Sequence, residues 1–412
     1  MRRRGRVRAG PGEGSRSTAV TGSPARGRAG AEKHGGATGA EVGGSGAHER
    51  GQNEVWMARA VALARRGLGR TSPNPPVGAV LVKDGRVVGE GWHRRAGGPH
   101  AEIVALARAG VDARGATLYL TLEPCSHHGR TPPCAPAVIA AGVARVVVAM
   151  ADPNPRVRGR GLRALRAAGI PLETGVLGRE AAAVTAWWRH FVVRRRPFVL
   201  LKLAASLDGR IATAAGESRW ISGPAARRWV HVLRNQVDAV MVGAGTVLAD
   251  DPALTCRLRG GRDPVRVIVD GRLRIPSRAR VLGQVSAAPT LVATTARASP
   301  GRRRALVDAG AELLVLPGRR GRLRLADLMR VLADRGIVSV LIEGGGELAA
   351  AALRERVVDR LLLVSAPTLI GGDGRPMLGA LALERLAAAP RLAQETVSRL
   401  GPDLLRQGAV QY

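Results

Sequence analysis

Cysteine and long apolar stretches are scarce in this chain. Three cysteines in 412 residues cannot build a disulfide framework, so the reducing cytoplasm is the predicted setting. No apolar run approaches the roughly 20 residues that cross a bilayer, and the first residues lack the apolar core of a secretory signal. The sequence therefore predicts a soluble protein with no membrane partner.

Lysine and aromatic side chains are also rare. The chain has 64 Lys and Arg against 32 Asp and Glu, a formal charge of +32, yet only Lys33, Lys83 and Lys202 are lysines. Scattered arginine is weaker support for nucleic-acid binding than a clustered basic face. Two Phe, six Trp and two Tyr are too few for a ladder of base-stacking platforms. Composition therefore weakens the nucleic-acid hypothesis, and no nucleic-acid partner is predicted.

The strongest signal is a group of metal-ligand residue types between Pro99 and Cys134. His100, Cys125 and Cys134 supply one imidazole and two thiols, the three protein ligands of a catalytic zinc with a fourth position left for water. Glu102 follows the histidine at a spacing that suits proton transfer to and from that water. Buried core thiols are the plain alternative for two cysteines, but the combination favours a zinc deaminase site. It departs from the nucleic-acid deaminase pattern in having eight residues between the cysteines.

The order of elements predicts two α/β domains after an extension. Residues 1–52 are predicted to be disordered, or untranslated if synthesis begins near Met57, because they lack periodic apolar residues. Residues 53–180 are the predicted zinc domain, with a helix from Glu54 and a hairpin around Asp84-Gly85. A helix that opens at Cys134 should stabilise the thiolate of that residue. Residues 181–196 form a predicted linker helix.

Residues 197–412 read as a second α/β domain. Seven predicted strands alternate with four helices, which favours a largely parallel sheet covered on both faces. Glu343 ends one of these strands, and Gly344 to Gly346 lead into a helix. A tight turn is the plain explanation of such a glycine run. Because this run lies between a strand and a helix, its exposed backbone amides could also bind a phosphate group.

Several motifs together resemble the bifunctional riboflavin-biosynthesis deaminase-reductase family, over about residues 54–380. They are P-N-P-P-V-G (73–78), G-W-H-R-R-A-G (91–97), H-A-E, P-C-S-H-H-G-R-T-P-P-C, K-L-A-A-S-L-D-G-R (202–210), G-E-S-R-W-I-S (216–222), T-V-L-A-D-D-P-A-L-T-C-R (246–257), I-E-G-G-G (342–346) and A-P-T-L-I-G-G (366–372). The long gap between the cysteines is a feature of that family. The resemblance implies a cytidine-deaminase-like zinc domain followed by a dihydrofolate-reductase-like α/β domain.

The resemblance also implies two consecutive reactions, with zinc and NADPH as cofactors. Zinc-dependent hydrolysis removes an amino group from a diaminopyrimidinone ribosylamino phosphate, and NADPH then reduces the ribosyl group to ribityl. In the first site the implied substrate contacts are Asn74, His93, His127 and Arg130. In the second site the implied NADPH contacts are Ala204, Trp220, Thr246, Asp250, Gly345, Gly346 and Glu347. The implied substrate contacts there are Ser218, Arg234, Leu254, Arg257 and Glu343.

Proton delivery in the reductase step is assigned to Lys202 and Asp250, although a strand lysine and an Asp-Asp-Pro turn both have ordinary structural uses. Two other interpretations remain open at this point. A nucleic-acid-binding protein or RNA-editing deaminase would bind RNA in a salt-sensitive way without consuming NADPH. Alternatively, one domain serves only as a scaffold. The resemblance also implies a homo-oligomer.

Overall fold

The computed structural model describes residues 44–129, 131–155 and 157–412. Its first helix begins at Gly44, so residues 44–52 are helical, which corrects the prediction of disorder for that part of the extension. The reason is tertiary contact. Glu49 forms an ion pair with Arg145, and Tyr119 donates a hydrogen bond to Asn53 at 2.8 Å. The rest of the predicted extension, residues 1–43, lies outside the described residues.

The helices of the described residues alternate with the strands for most of the chain. They are α1 Gly44–Arg65, α2 Ala101–Ala109, α3 Cys134–Ala140, α4 Arg160–Ala167, α5 Gly178–Val184, α6 Ala186–Arg194, α7 Pro224–Gln236, α8 Ala244–Asp250, α9 Pro300–Asp308, α10 Leu325–Asp334 and α11 Gly346–Arg354.

The strands form two main sheets and two small ribbons. They are β1 Gly78–Lys83, β2 Arg86–Trp92, β3 Thr117–Leu120, β4 Arg145–Val148, β5 Leu172–Thr174, β6 Phe198–Ser206, β7 Arg210–Ala212, β8 Ala239–Gly243, β9 Val265–Val269, β10 Thr290–Thr295, β11 Ala311–Leu316, β12 Gly318–Arg319, β13 Arg322–Leu323, β14 Ser339–Glu343, β15 Arg360–Ala366, β16 Arg375–Pro376, β17 Arg391–Leu400 and β18 Asp403–Gln411.

The first sheet has the order β2-β1-β3-β4-β5. Strand β1 is antiparallel to both β2 and β3, whereas β3, β4 and β5 are parallel. Alternate residues of β1 point to opposite faces. Leu81 therefore packs in the core that includes residues of α2 and α3, and Val80 packs against α1. The predicted hairpin is confirmed: β1 and β2 meet at Asp84 and Gly85, which both have positive φ, as the two-residue turn requires.

The second sheet has the order β11-β10-β9-β8-β14-β6-β15-β18-β17. Its first seven strands are parallel, and the last two pair antiparallel at one edge. One face carries a core that includes residues of α10 and α11. The other face packs against residues of α7, α8 and α9. The predicted largely parallel sheet with two covered faces is thus confirmed.

Two local features differ from the predicted elements. The single linker helix is divided into α5 and α6 at Thr185, whose hydroxyl donates a hydrogen bond to the Ala181 carbonyl at 2.9 Å, a bond that competes with regular helix. The edge strands β17 and β18 were not predicted, because most of β17 is exposed and has no apolar alternation. Within the described ranges, no helix has the length and apolar character needed to cross a bilayer.

Candidate functional site

The fold brings the three predicted metal ligands together from three separate elements. His100 precedes the first residue of α2, Cys125 follows β3, and Cys134 is the first residue of α3. Their ligand atoms all lie within 4.8 Å of one another. The Nδ1 atom of His100 lies 3.2 Å from the sulfur of Cys134 and 3.6 Å from that of Cys125. This donor set of one nitrogen and two sulfurs fits a zinc ion with an open position.

Hydrogen bonding divides the charge unequally between the two thiols. The backbone N–H of Cys134 donates to the sulfur of Cys125 at 3.3 Å. The hydrogen bond from the Cys134 side chain lowers the pKa of Cys125 to about 4, and His100 adds to the effect. The same pairing, together with burial, raises the pKa of Cys134. The amide at the start of α3 therefore helps to stabilise the Cys125 thiolate, and the predicted stabilisation of the Cys134 thiolate stays a prediction.

Glu102 lies in the first turn of α2 and is 3% exposed. Burial raises the pKa of its carboxyl group to about 7. It lines the same cavity as His100 and Cys125. A carboxyl group with a pKa near neutrality can both accept and release a proton there, as a proton shuttle must.

A cavity of about 240 Å³ is lined by two of these ligands, His100 and Cys125. The predicted substrate contacts Asn74, His93 and His127 all line it. The Nε2 atom of His93 lies 3.2 Å from Asn74 Nδ2, and its Nδ1 lies 3.0 Å from the Pro99 carbonyl. The Nδ1 atom of His127 is buried without a hydrogen-bond partner among the described residues, so it is free to bind a ligand group. The fourth predicted contact, Arg130, lies outside the described residues.

Other cavity residues were not predicted. Thr131 lines the cavity, and its hydroxyl lies 3.2 Å from His100 Nε2, where it fixes the orientation of the imidazole ring. Asp152 and Asn154 enter the cavity from the loop after β4, and burial raises the pKa of Asp152 to about 7. Asp152 and Asn154 could have been predicted, because they are polar residues that follow the parallel strand β4. Trp188 and Val192 of α6 add an apolar wall, which no local sequence pattern indicated.

The second domain gathers a buried group of charges at the end of β14. Glu343 is the register partner of Lys202 on β6. Arg234 of α7 donates to both carboxylate oxygens of Glu343, at 2.7 and 3.0 Å. Burial opposes ionisation of Glu343, but Arg234 and then Lys202 outweigh it and hold its pKa below the ordinary value. Burial lowers the pKa of Lys202.

The glycine turn follows Glu343 directly. Gly344 and Gly345 have φ values of 79° and 73°, which favour glycine over any residue with a side chain. A Cβ atom at either position would lie 3.2 Å from the Thr246 hydroxyl. The turn therefore presents bare backbone beside Thr246, and α11 begins at Gly346. This cradle fits the phosphates of a dinucleotide. Glu347 follows in the first turn of α11 and is exposed.

The remaining predicted reductase residues differ in their exposure to solvent. Ala204 is two residues beyond Lys202 on β6 and is half-buried. Ser218 and Trp220 belong to the loop before α7, and Trp220 is 67% exposed with the Arg227 guanidinium over its ring at 4.6 Å.

The last three predicted contacts of the reductase site are Asp250, Leu254 and Arg257. Asp250 ends α8, and its carbonyl accepts a hydrogen bond from Arg219 at 2.7 Å. Leu254 is buried in the core, so contact with substrate would use its backbone, which has a φ of 55°. Arg257 is exposed, and its N–H donates to His231.

Comparison with known proteins agrees with this two-domain architecture. Residues 50–150 match the cytidine and deoxycytidylate deaminase zinc-binding region, and residues 197–406 match the RibD C-terminal domain. The chain is 46% identical to the riboflavin biosynthesis protein RibD of Escherichia coli K12 over 369 residues, which cover 86% of this chain and 98% of that protein. The chain belongs to the RibD family.

Solved RibD structures have the same fold over nearly all of their length. Acinetobacter baumannii RibD (form 1) aligns with a TM-score of 0.79 at 41% identity, covering 88% of this chain and all of that chain. A Thermotoga maritima diaminohydroxyphosphoribosylaminopyrimidine deaminase/5-amino-6-(5-phosphoribosylamino)uracil reductase aligns with a TM-score of 0.78 at 38% identity, with the same coverage. RibD membership confirms the predicted fold class and bifunctional activity, with a zinc-binding deaminase domain and a reductase domain of the NADPH-using type. The individual roles of the site residues stay predictions.

Proposed function

We propose that this chain deaminates a diaminopyrimidinone ribosylamino phosphate in its first domain and reduces the ribosyl group of the product in its second. The observation that carries the proposal is the meeting of His100, Cys125 and Cys134 at a cavity that His100, Cys125 and the buried Glu102 line. A phosphorylated pyrimidine fits that cavity chemically, since it offers ring nitrogens and exocyclic groups to amide and imidazole side chains.

In the deaminase site, each residue has a distinct part in the reaction. His100, Cys125 and Cys134 would hold zinc, which lowers the pKa of a bound water towards 7. Glu102 would accept a proton from the water whose oxygen adds to the ring carbon, and would pass that proton to the amino group, which leaves the same carbon as ammonia. Asn74 and His93, hydrogen-bonded to each other, orient the pyrimidine edge.

In the reductase site, the glycine turn would hold NADPH beside Thr246, and the cofactor supplies a hydride to the ribosyl carbon. Arg234 keeps Glu343 ionised and in place, so that Glu343 can accept hydrogen bonds from the sugar hydroxyls. Lys202 and Asp250 are the proposed groups that deliver or position the proton needed by the ring oxygen when the sugar opens to ribityl.

The cellular setting and assembly belong to the same proposal. Free cysteines suit the reducing cytoplasm, and we propose that the protein works there as a homo-oligomer. Size-exclusion chromatography with light scattering tests the assembly, and a monomeric mass at micromolar concentration would contradict it.

Metal removal tests the first half of the proposed function. With the diaminopyrimidinone phosphate as substrate, ammonia release and NADPH loss are followed separately before and after dialysis against a chelator. We expect chelation to abolish ammonia release and zinc to restore it. NADPH loss should persist throughout if the deaminated substrate is supplied, because the proposed metal ligands lie in the first domain. Ammonia release that survives complete loss of zinc would reject the assignment.

Asp250→Asn tests the proposed role of this carboxylate in the reductase. We expect single-turnover NADPH oxidation to slow by about 10²-fold or more if the carboxylate transfers the proton. Asp251→Asn, at the neighbouring position, is the matched control and should react at the wild-type rate. An unchanged rate in Asp250→Asn removes Asp250 from the chemistry and leaves Lys202 as the remaining candidate.

A further inference from the structure

The segment between α1 and β1 joins the deaminase site to the reductase domain. It carries Asn74, which lines the deaminase cavity and lies beside His93. The N–H of Asn74 donates to the Thr71 carbonyl at 2.8 Å, so residues 71–74 form a tight turn that ends at Asn74. We call residues 69–74 the contact segment. The group that holds this segment also sets the position of the Asn74 amide.

The contact segment approaches the reductase domain most closely at Gly69. This residue has a φ of 72°. A Cβ atom built on it would lie 2.5 Å from the Asn235 carbonyl oxygen and 2.7 Å from the Cα of Gln236, which is closer than Cβ atoms come to backbone atoms. Only glycine therefore fits here without a shift of one backbone. The deaminase main chain thus lies directly against the last turn of α7.

Two further contacts hold the turn itself. The side chain of Ser72 forms a hydrogen bond with the carboxylate of Asp238, which lies between α7 and β8. A Cβ atom built on Gly336, shortly before β14, would lie 3.6 Å from the Pro73 ring. Contact with the reductase domain therefore continues from Gly69 to the residue that precedes Asn74.

The boundary between the contact segment and the reductase domain is closely packed. The cavity left there has a volume of about 20 Å³, and its lining includes Ser72, Asn74, Gln236 and Val338. A cavity of that size holds about one water molecule. Val338 is buried in the same hydrophobic core as Trp188 and the first sheet. The contact segment therefore has little room to move.

Hydrogen bonds fix the reductase side of this boundary. The N–H of Arg262 donates to the side-chain oxygen of Asn235 at 2.9 Å, which ties the end of α7 to the chain before β9. Asp238 accepts hydrogen bonds from the N–H groups of Val338 and Ser339 at 2.9 and 3.0 Å. The start of β14 and the end of α7 thus form a rigid support for the contact segment.

We propose that the reductase domain positions Asn74 of the deaminase site, with Gly69 and Ser72 as the positioning residues. The inference rests on the proposed function, in which Asn74 and His93 orient the pyrimidine edge. Hydrogen bonds to that edge are directional, and misplacement by about 1 Å can cost on the order of 10²-fold in rate. Deamination therefore depends on a contact with the domain that carries out the next step.

Gly69→Ala tests the close approach, and Gly85→Ala is the matched control. Both glycines have left-handed φ values, 72° and 70°, so alanine adds similar backbone strain at each. Only the methyl group at Gly69 would meet the reductase backbone, because a Cβ atom at Gly85 has no heavy atom within 4 Å. We expect Gly69→Ala to raise the KM of ammonia release for the diaminopyrimidinone phosphate by about 10-fold or more, and Gly85→Ala to stay near wild type. Equal effects of the two variants would reject the proposal.

Ser72→Ala is a milder test that should fold even if Gly69→Ala does not. It removes one side-chain hydrogen bond, so we expect a loss of about 3- to 10-fold in kcat/KM for ammonia release, mainly through KM. NADPH oxidation with deaminated substrate should keep its wild-type rate. Ser277→Ala replaces an exposed serine between β9 and β10 and is the control. A KM unchanged by Ser72→Ala would contradict the assignment.

A double variant shows whether the effect passes through Asn74. Asn74→Ala removes the side chain that the contact segment positions. Ser72→Ala/Asn74→Ala should therefore have the same KM as Asn74→Ala alone, because a positioning residue has nothing left to position. Losses that multiply would mean that Ser72 serves only the fold, and would count against the proposal.

Hydrogen exchange tests the same contact without turnover. The amides of residues 69–74 should exchange faster in Ser72→Ala than in the wild type and Ser277→Ala, while the β1–β2 hairpin stays equally protected. Identical exchange in all three proteins would overturn the proposal. If the wild type releases no ammonia from the diaminopyrimidinone phosphate, the proposed function fails, whereas the exchange result still decides whether the reductase domain holds the contact segment.

Discussion

Glu102→Gln should retain zinc and lose deaminase turnover by about 10²- to 10⁴-fold, the usual contribution of a positioned acid-base group. The amide has nearly the shape of the carboxyl group, so the metal ligands His100, Cys125 and Cys134 should keep their places. It cannot accept the proton that a hydrolytic water must lose. Zinc content by metal analysis and ammonia release by a coupled assay measure the two effects separately.

A matched control is available on the surface of the same domain. Glu90→Gln removes a carboxylate that pairs with Arg59 outside the cavity, and we expect wild-type ammonia release from it. NADPH oxidation with deaminated substrate should be normal in both variants. Substantial ammonia release by Glu102→Gln at full zinc content would mean that another group transfers the proton, and Asp152, which lines the same cavity, would be the first candidate.

Arg234→Met should lower the free energy of unfolding by about 3–5 kcal/mol, because it leaves the buried carboxylate of Glu343 without its main partner. Both side chains are largely buried, at 13% and 10% exposure. Methionine keeps much of the apolar length of arginine, so lost packing contributes little. Urea denaturation measures the loss. We expect NADPH oxidation to fall as well, measured where both proteins remain folded.

The double variant Arg234→Met/Glu343→Gln is the internal control for this prediction. It removes the stranded charge and should recover part of the stability, whereas an additive loss would show that the two side chains do not interact. Arg234→Lys keeps the charge but not the paired hydrogen bonds, and it should fall between the wild type and Arg234→Met.

The stability loss in Arg234→Met should also depend on pH. The pKa of Glu343 is held below its ordinary value in the folded wild type, so the ion pair stabilises the fold above the ordinary glutamate pKa. That contribution disappears as the pH falls through the lowered value. The difference between wild type and variant should therefore be largest at neutral pH and shrink under acid conditions. A difference that grows on acidification would contradict this account.

Most elements that support the two sites could be predicted from local sequence. The Asp84-Gly85 turn specifies its hairpin through two residues with positive φ, and β14 and the glycine turn follow from an apolar run ending in Glu343 and three glycines. Elements with little apolar periodicity could not be predicted in this way. The edge strand β17 is exposed along most of its length, and the break at Thr185 depends on a single side-chain hydrogen bond.

The sequence by itself determined the candidate ligand set His100, Cys125 and Cys134, the neighbouring carboxyl group of Glu102 and the order of the two domains. These follow from residue chemistry and from short spacings, which do not depend on how distant elements meet. The tertiary structure alone decided that Trp188 lines the deaminase cavity. It also decided that the Cys134 amide contacts the sulfur of Cys125. Arg272, Arg319 and Arg322, from separate parts of the chain, line one pocket for the same reason. The physical reason is that strand order and close backbone approach bring together residues far apart in the chain, and local periodicity carries no information about those contacts.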